Sequence, residues 1–122
     1  MFGAYAPSGA QFVPLSPSRI IDTRGGSALA SGEVRAFKVA GLAGVPSNAT
    51  AVVLNVAADR ASAPGYLTVF PCGGAPPTVS NLNFAPGQAL ANLVQVRLSD
   101  GNICIAAESA THVFADVAGY FA

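Results

Sequence analysis

The sequence predicts an all-β fold, a single-domain, jelly-roll-like β-sandwich of about eight or nine short antiparallel strands. Three observations carry this. Nine prolines and thirteen glycines cut the 122 residues into short pieces. No window long enough for a three-turn helix keeps an apolar period of 3.6 without Pro or Gly intruding. Short runs rich in β-branched and aromatic residues recur at regular spacing, the pattern of a sandwich or barrel.

Taken in order, the strands are expected over 11–15, 19–23, 33–39, 50–57, 66–70, 78–84, 92–98, 102–107 and 111–120. Residues 1–10 read as an N-terminal extension or linker, and 11–122 as one domain. The strongest local signal is Ser99-Asp100-Gly101-Asn102. Asp-Gly between two alternating runs favours a two-residue type I′ turn, in which both central residues have positive φ. The expected register pairs Leu98 with Ile103, Arg97 with Cys104 and Val96 with Ile105. Val94, Val96, Leu98, Ile103 and Ile105 then share a buried face. Alternation over 66–72 sets Leu67 and Val69 against Tyr66, Thr68, Phe70 and Cys72.

Pro17-Ser18-Arg19-Ile20-Ile21-Asp22-Thr23-Arg24 concentrates charge in a chain that is only 10% charged. On a regular strand Arg19, Ile21 and Thr23 face one way, and Ile20, Asp22 and Arg24 the other. Asp22 and Arg24 can then form a charge-assisted pair. Arg19, Asp22, Thr23 and Arg24 are read as a structural polar network, with Asp22 the partner of Arg24 or Arg19.

Formal net charge is zero, with six basic residues scattered singly. No electrostatic footprint for nucleic acid exists, and no apolar run reaches the length of a membrane span. Met1 precedes Phe2-Gly3-Ala4-Tyr5 without a basic or apolar leader region, so no signal peptide is expected. A secreted form would be a mature protein or an excised module.

His112 is the only histidine, and Cys72 and Cys104 are the only cysteines. That set is too small for a zinc site, and no cofactor is expected. The cysteines form either a disulfide or two buried thiols, and the disulfide is the favoured reading. A Ser-His-Asp site would depend on His112 and has no nucleophile elbow to support it. A carboxylate pair for glycoside hydrolysis could be drawn from Asp22, Asp59, Glu108 and Asp116, but no spacing singles one out. No catalytic residue is assigned, and the chain is read as a non-enzyme. Asn55, Asn81, Asn83 and Asn92 sit among apolar residues, and such amides bind backbone unless they serve a ligand. Asn81 and Asn83, with Tyr66, are the candidate ligand-binding residues.

Several blocks follow one another in order along the chain. They are Phe12-x-Pro14-Leu15-x-Pro17-x-Arg19-Ile20-Ile21-Asp22-Thr23-Arg24, Val45-Pro46, 51–56, and 65–72. Ser80-Asn81-Leu82-Asn83-Phe84 and Asp116-Val117-x-Gly119-Tyr120-Phe121 complete the set. Together they resemble a secreted and cell-surface repeat of actinobacteria and some other bacteria, over nearly the whole chain. The resemblance implies an extracellular β-rich accessory module, often in tandem, and transfers no catalytic residue. The expected function is a structural or adhesive module, in arrays or as a self-assembling subunit, partnered by copies of itself. The alternative is a carbohydrate- or cell-wall-binding module of a secreted hydrolase, with cell-wall glycan as partner.

Overall fold

The structure is a computed structural model that describes residues 10–78 and 80–122. The expected extension over 1–10 falls outside these residues except for Ala10. Eight strands are present: β1 (Phe12–Asp22), β2 (Val34–Lys38), β3 (Ala51–Asp59), β4 (Gly65–Phe70), β5 (Leu82–Phe84), β6 (Leu90–Arg97), β7 (Asn102–Ala107) and β8 (His112–Phe121). No helix occurs among the described residues.

The strands form two antiparallel sheets, ordered β1-β8-β3-β6 and β2-β7-β4-β5. Strands 1 and 8, 2 and 7, 3 and 6, and 4 and 5 pair with each other. That is one long antiparallel ribbon folded in half. Rolling the ribbon adds the β3–β8 and β4–β7 pairs and closes the two sheets over a common core. Eight strands so arranged make a jelly roll, as the sequence predicts.

The core takes the inward residues of both sheets, among them Val52, Leu54, Val56, Val94, Val96, Val113 and Val117 from one. Leu67, Val69, Leu82, Phe84, Ile103 and Ile105 come from the other. Central strand β3, flanked on both sides, is buried along almost its whole length and exposes only Asn55. Its near-continuous Ala-Val-Val-Leu run fits that position, since a strand covered on both faces loses the apolar–polar alternation.

Three expectations need correction. The stretches 11–15 and 19–23 form one strand, β1, and not two. Pro14 and Pro17 are tolerated within it because β1 lies at a sheet edge, where a missing N–H costs no ladder bond. The strand expected over 78–84 contracts to Leu82–Phe84, since Asn81 is already engaged in clamping the loop to β4 (below).

The hairpin register is the third. The turn itself forms as expected: Asp100 and Gly101 have φ of 52° and 81°, and Ser99 and Asn102 exchange both backbone hydrogen bonds. The flanking strands then diverge. β6 pairs with β3, while β7 lies between β2 and β4, so the Leu98–Ile103, Arg97–Cys104 and Val96–Ile105 pairs are not made. The turn carries the chain from one sheet to the other. Val94, Val96, Ile103 and Ile105 still meet in the core, across the sandwich and not along a hairpin.

Two irregularities set which side chains reach the surface. On β1, Arg19 opposes Asp116 while Ile21 opposes Ala115, so Ile20 is an extra residue. On β8, Val117 opposes Leu54 and Gly119 opposes Val53, leaving Ala118 extra. Past Ala118 the outward positions become Gly119 and Phe121. Phe121 joins Ala51 and Val53 in a small second cluster on the outer face, and its ring lies 5.2 Å from that of Phe12.

Candidate functional site

The outer face of the β1-β8-β3-β6 sheet carries the first candidate, built around Phe114. The bulge at Ile20 turns Arg19 onto the same face as Asp22 and Arg24, against the regular alternation expected from sequence. Arg24 grips Asp22 with both ends of its fork, Nε to Oδ1 and Nη2 to Oδ2, each at 3.0 Å. The Arg24 backbone N–H donates to the same carboxylate at 3.0 Å. Arg19 donates from Nη1 to Asp22 at 3.2 Å and from Nε to Asp116 on β8. Arg24 reaches Asp59 on β3 at 3.4 Å, and Arg60 lies 3.7 Å from the same carboxylate. Both Arg19 and Arg24 place their guanidinium carbons over the Phe114 ring, 4.5 and 4.0 Å from its centroid, in cation–π geometry.

Three arginines thus face three aspartates, and the lattice is neutral. It ties β1, β8 and β3 together across the sheet. The fork and backbone donors of Arg24, more than Arg19, hold the Asp22 carboxyl well below the usual carboxylate range. Hydrogen bonding to Asp22 raises Arg24, and hydrogen bonding to Asp116 raises Arg19. The lattice is solvated: the side chains of Arg19 and Asp22 are 42% and 32% exposed.

Asp22, Asp59 and Asp116, three of the carboxylates weighed for glycoside hydrolysis, do converge here. Each is bonded to an arginine, and Asp22 is held below the usual carboxylate range, the opposite of what a general acid needs. Glu108 lies elsewhere, at the end of β7.

Thr23 is buried and belongs to a separate bond set. Its Oγ1 accepts the Val113 N–H at 2.9 Å and is hydrogen-bonded to His112 Nδ1, also at 2.9 Å. His112 and Thr23 therefore fasten the end of β1 to β8, and the chemistry here is structural. Thr111, just before β8, ties that end of the strand to β3, donating to the Asp59 carbonyl at 3.1 Å.

The ligand candidates separate. Asn81 is committed to backbone: Oδ1 accepts the Val69 N–H at 2.6 Å, and its own N–H donates to Leu67 O at 2.8 Å. Asn92 donates to Asn81 O at 2.8 Å and accepts the Leu93 N–H at 3.1 Å, bridging the two sheets. Asn83 and Tyr66 are exposed, and the β4–β5 register sets them directly opposite one another on the outer face of the β2-β7-β4-β5 sheet. Asn55 is also a surface residue, contrary to the expectation that it binds backbone from an apolar setting.

Cys72 and Cys104 are joined, their Cα atoms 5.1 Å apart. The bridge anchors the loop after β4 to β7, and Pro76 and Pro77 of that loop line one cleft with Thr68. Outward-facing Thr68 and Phe70 are buried as a result.

Sequence reading missed two features. Phe114 is the platform of the arginine lattice, which a bulge conceals from any strand-periodicity argument. Arg35 faces inward opposite Ile105 and binds Glu33 at 2.8 Å and the carbonyls of Ser27 and Ala28 at 2.9 and 3.1 Å. It fixes the β1–β2 connection. Arg35, and secondarily the Ala30 N–H, hold the Glu33 carboxyl below its ordinary range. Among the described residues, no group of three or more His, Cys, Asp or Glu side chains could hold a metal ion. No helix among them is long and apolar enough to cross a membrane.

No protein-family model matches the chain, and no curated protein does. Among solved structures it is similar to the tobacco streak virus coat protein in a C2 crystal form. The TM-score is 0.46 at 16% identity, covering 92% of this chain and 87% of that one. The dimer of the same coat protein gives a TM-score of 0.44 at 15% identity, with the same coverage. At that distance nothing about function transfers.

Proposed function

We propose that the chain is a non-catalytic structural module that associates with further copies of itself, as separate subunits or as tandem repeats, at the bacterial cell surface. The observation that carries this reading is the unequal protection of the four sheet edges. Edge strand β1 contains two prolines and a bulge, while β2 and β5 span only five and three residues. These are the usual defences against edge-to-edge pairing. β6 is eight residues long, contains no proline or lysine, and carries no charge before Arg97. It also exposes two large apolar side chains, Leu90 and Leu93, the latter at 53%.

A long, uncharged edge with protruding leucines is suited to receiving another strand. The absence of net charge removes any long-range barrier between copies. The Cys72–Cys104 bridge supports an oxidising, extracellular setting, as does the resemblance to secreted repeats.

Light scattering at rising concentration tests the reading. Wild-type chain is expected to associate, and Leu93→Lys, which puts a charge on the β6 edge, to remain monomeric. Deleting residues 1–10 in parallel separates a contribution of the extension from that of β6. A wild-type chain that stays monomeric at millimolar concentration overturns the proposal.

A further inference from the structure

We infer that the outer face around Tyr66 is a shallow binding site for a neutral oligosaccharide. Tyr66 is 41% exposed at the centre of a row that crosses three strands. Asn83 lies directly opposite on β5. On the other flank the Glu108 N–H donates to Tyr66 O at 3.0 Å, continuing the β4–β7 ladder, so Glu108 falls on the same face. An aromatic ring is thereby straddled by an amide, which both donates and accepts, and by a carboxylate, which accepts.

The cleft beside the ring has a volume of about 320 Å³ and is bounded by Val34, Pro76, Pro77 and Glu108. This is the small end of ligand-pocket sizes. Its parts are held in place before any ligand arrives. The disulfide and the Asn81 clamp fix the Pro76–Pro77 wall, and Ser31 Oγ donates to Glu108 O at 2.9 Å. Preorganisation lowers the entropic cost of binding.

The chemistry selects the ligand class. A pyranose presents an apolar C–H face to an aromatic ring and vicinal hydroxyls at its rim. Two rim hydroxyls can donate to the Glu108 carboxylate, while the Asn83 amide serves a third. No arginine or lysine lines the cleft, so acidic sugars meet only the repulsion of Glu108. The site is distinct from the β6 edge on which self-association is proposed, and the two can fail separately.

The test is a titration of isotopically labelled full chain, dilute enough to be monomeric, with cellotetraose, chitotetraose and an acidic glucuronate-containing tetrasaccharide, followed by amide chemical shifts. Saturable shifts centred on residues 66, 83 and 108 are expected with at least one neutral tetrasaccharide. The acidic one should bind more weakly. Tyr66→Ala should weaken binding roughly tenfold or more, about 1.4 kcal/mol, and Glu108→Gln several-fold, with both unfolding midpoints unchanged. No saturable shift with either neutral sugar, shifts centred elsewhere, or binding that survives Tyr66→Ala overturns the inference. So does binding of oligoproline with no response to sugar.

Discussion

Gly119 illustrates how one missing side chain decides a local fit. A Cβ at this position would lie 2.6 Å from the Phe12 ring and 2.8 Å from the Val13 carbonyl oxygen. The backbone of β1 passes too close to β8 there for any larger residue. Gly119→Ala is expected to destabilise the chain by about 1–3 kcal/mol, the usual cost of overpacking, measured by chemical denaturation. Phe12→Ala in the same chain should restore only part of it, because the Val13 contact is backbone. Asp22 gives a pH signature. Its carboxyl titrates lower in the folded chain than in the unfolded one, so its contribution is present above the unfolded value near 3.8 and fades as pH falls towards the folded one. Glu33, also lowered, acts in the same direction. The unfolding midpoint should therefore fall steadily below about pH 4, and Asp22→Asn should flatten that slope. An unchanged slope in the variant would assign acid sensitivity to other carboxylates. Because the lattice is solvated, Asp22→Ala should lower stability less than loss of a buried partner would.

The loop between β4 and β5 shows how elements without regular structure are made rigid. Two fasteners hold it: the Cys72–Cys104 bridge across 32 residues of sequence, and the Asn81 clamp on β4. On the loop-entropy account the bridge contributes about 3–4 kcal/mol. Reduction should lower the denaturation midpoint accordingly, and alkylation of unfolded, unreduced chain should add no mass. Removing the clamp with Asn81→Ala leaves the Val69 N–H without its acceptor, costing about 1–3 kcal/mol. Hydrogen exchange at Val69 should accelerate selectively, and an unaffected rate there would show the clamp to be dispensable.

At the scale of the molecule, the chain joins a jelly roll to a surface with little net charge. Six of its charges are spent on one another in the Phe114 lattice, which leaves that patch of the sheet's outer face without net charge. The β6 edge and the Tyr66 cleft lie elsewhere, so association and ligand binding can coexist. Far-ultraviolet circular dichroism should show β-structure through the whole thermal range below unfolding, and a helix-dominated spectrum would contradict the fold.

Short β-rich runs, dense Pro and Gly, and the Asp100-Gly101 turn were enough to determine an all-β sandwich, most strand positions and the core residues of β6 and β7. Periodicity and turn chemistry are local, and local signals survive in a sequence read alone. The pairing of Asp22 with arginine was legible for the same reason, since Asp22 and Arg24 are neighbours on one strand. Asp59, Asp116 and Phe114 were not legible as their partners. They arrive from β3 and β8, and only the bulge at Ile20 turns Arg19 towards them. The Leu98–Ile103 register failed because strand pairing in a jelly roll follows the rolled ribbon, which sends β6 and β7 to different sheets after a correctly formed turn. Asn81 and Asn83 look alike in sequence, yet one clamps a loop and the other faces solvent beside Tyr66. Which faces which is settled by long-range pairing, where the free energy of closing the core outweighs the preference of any single turn or strand.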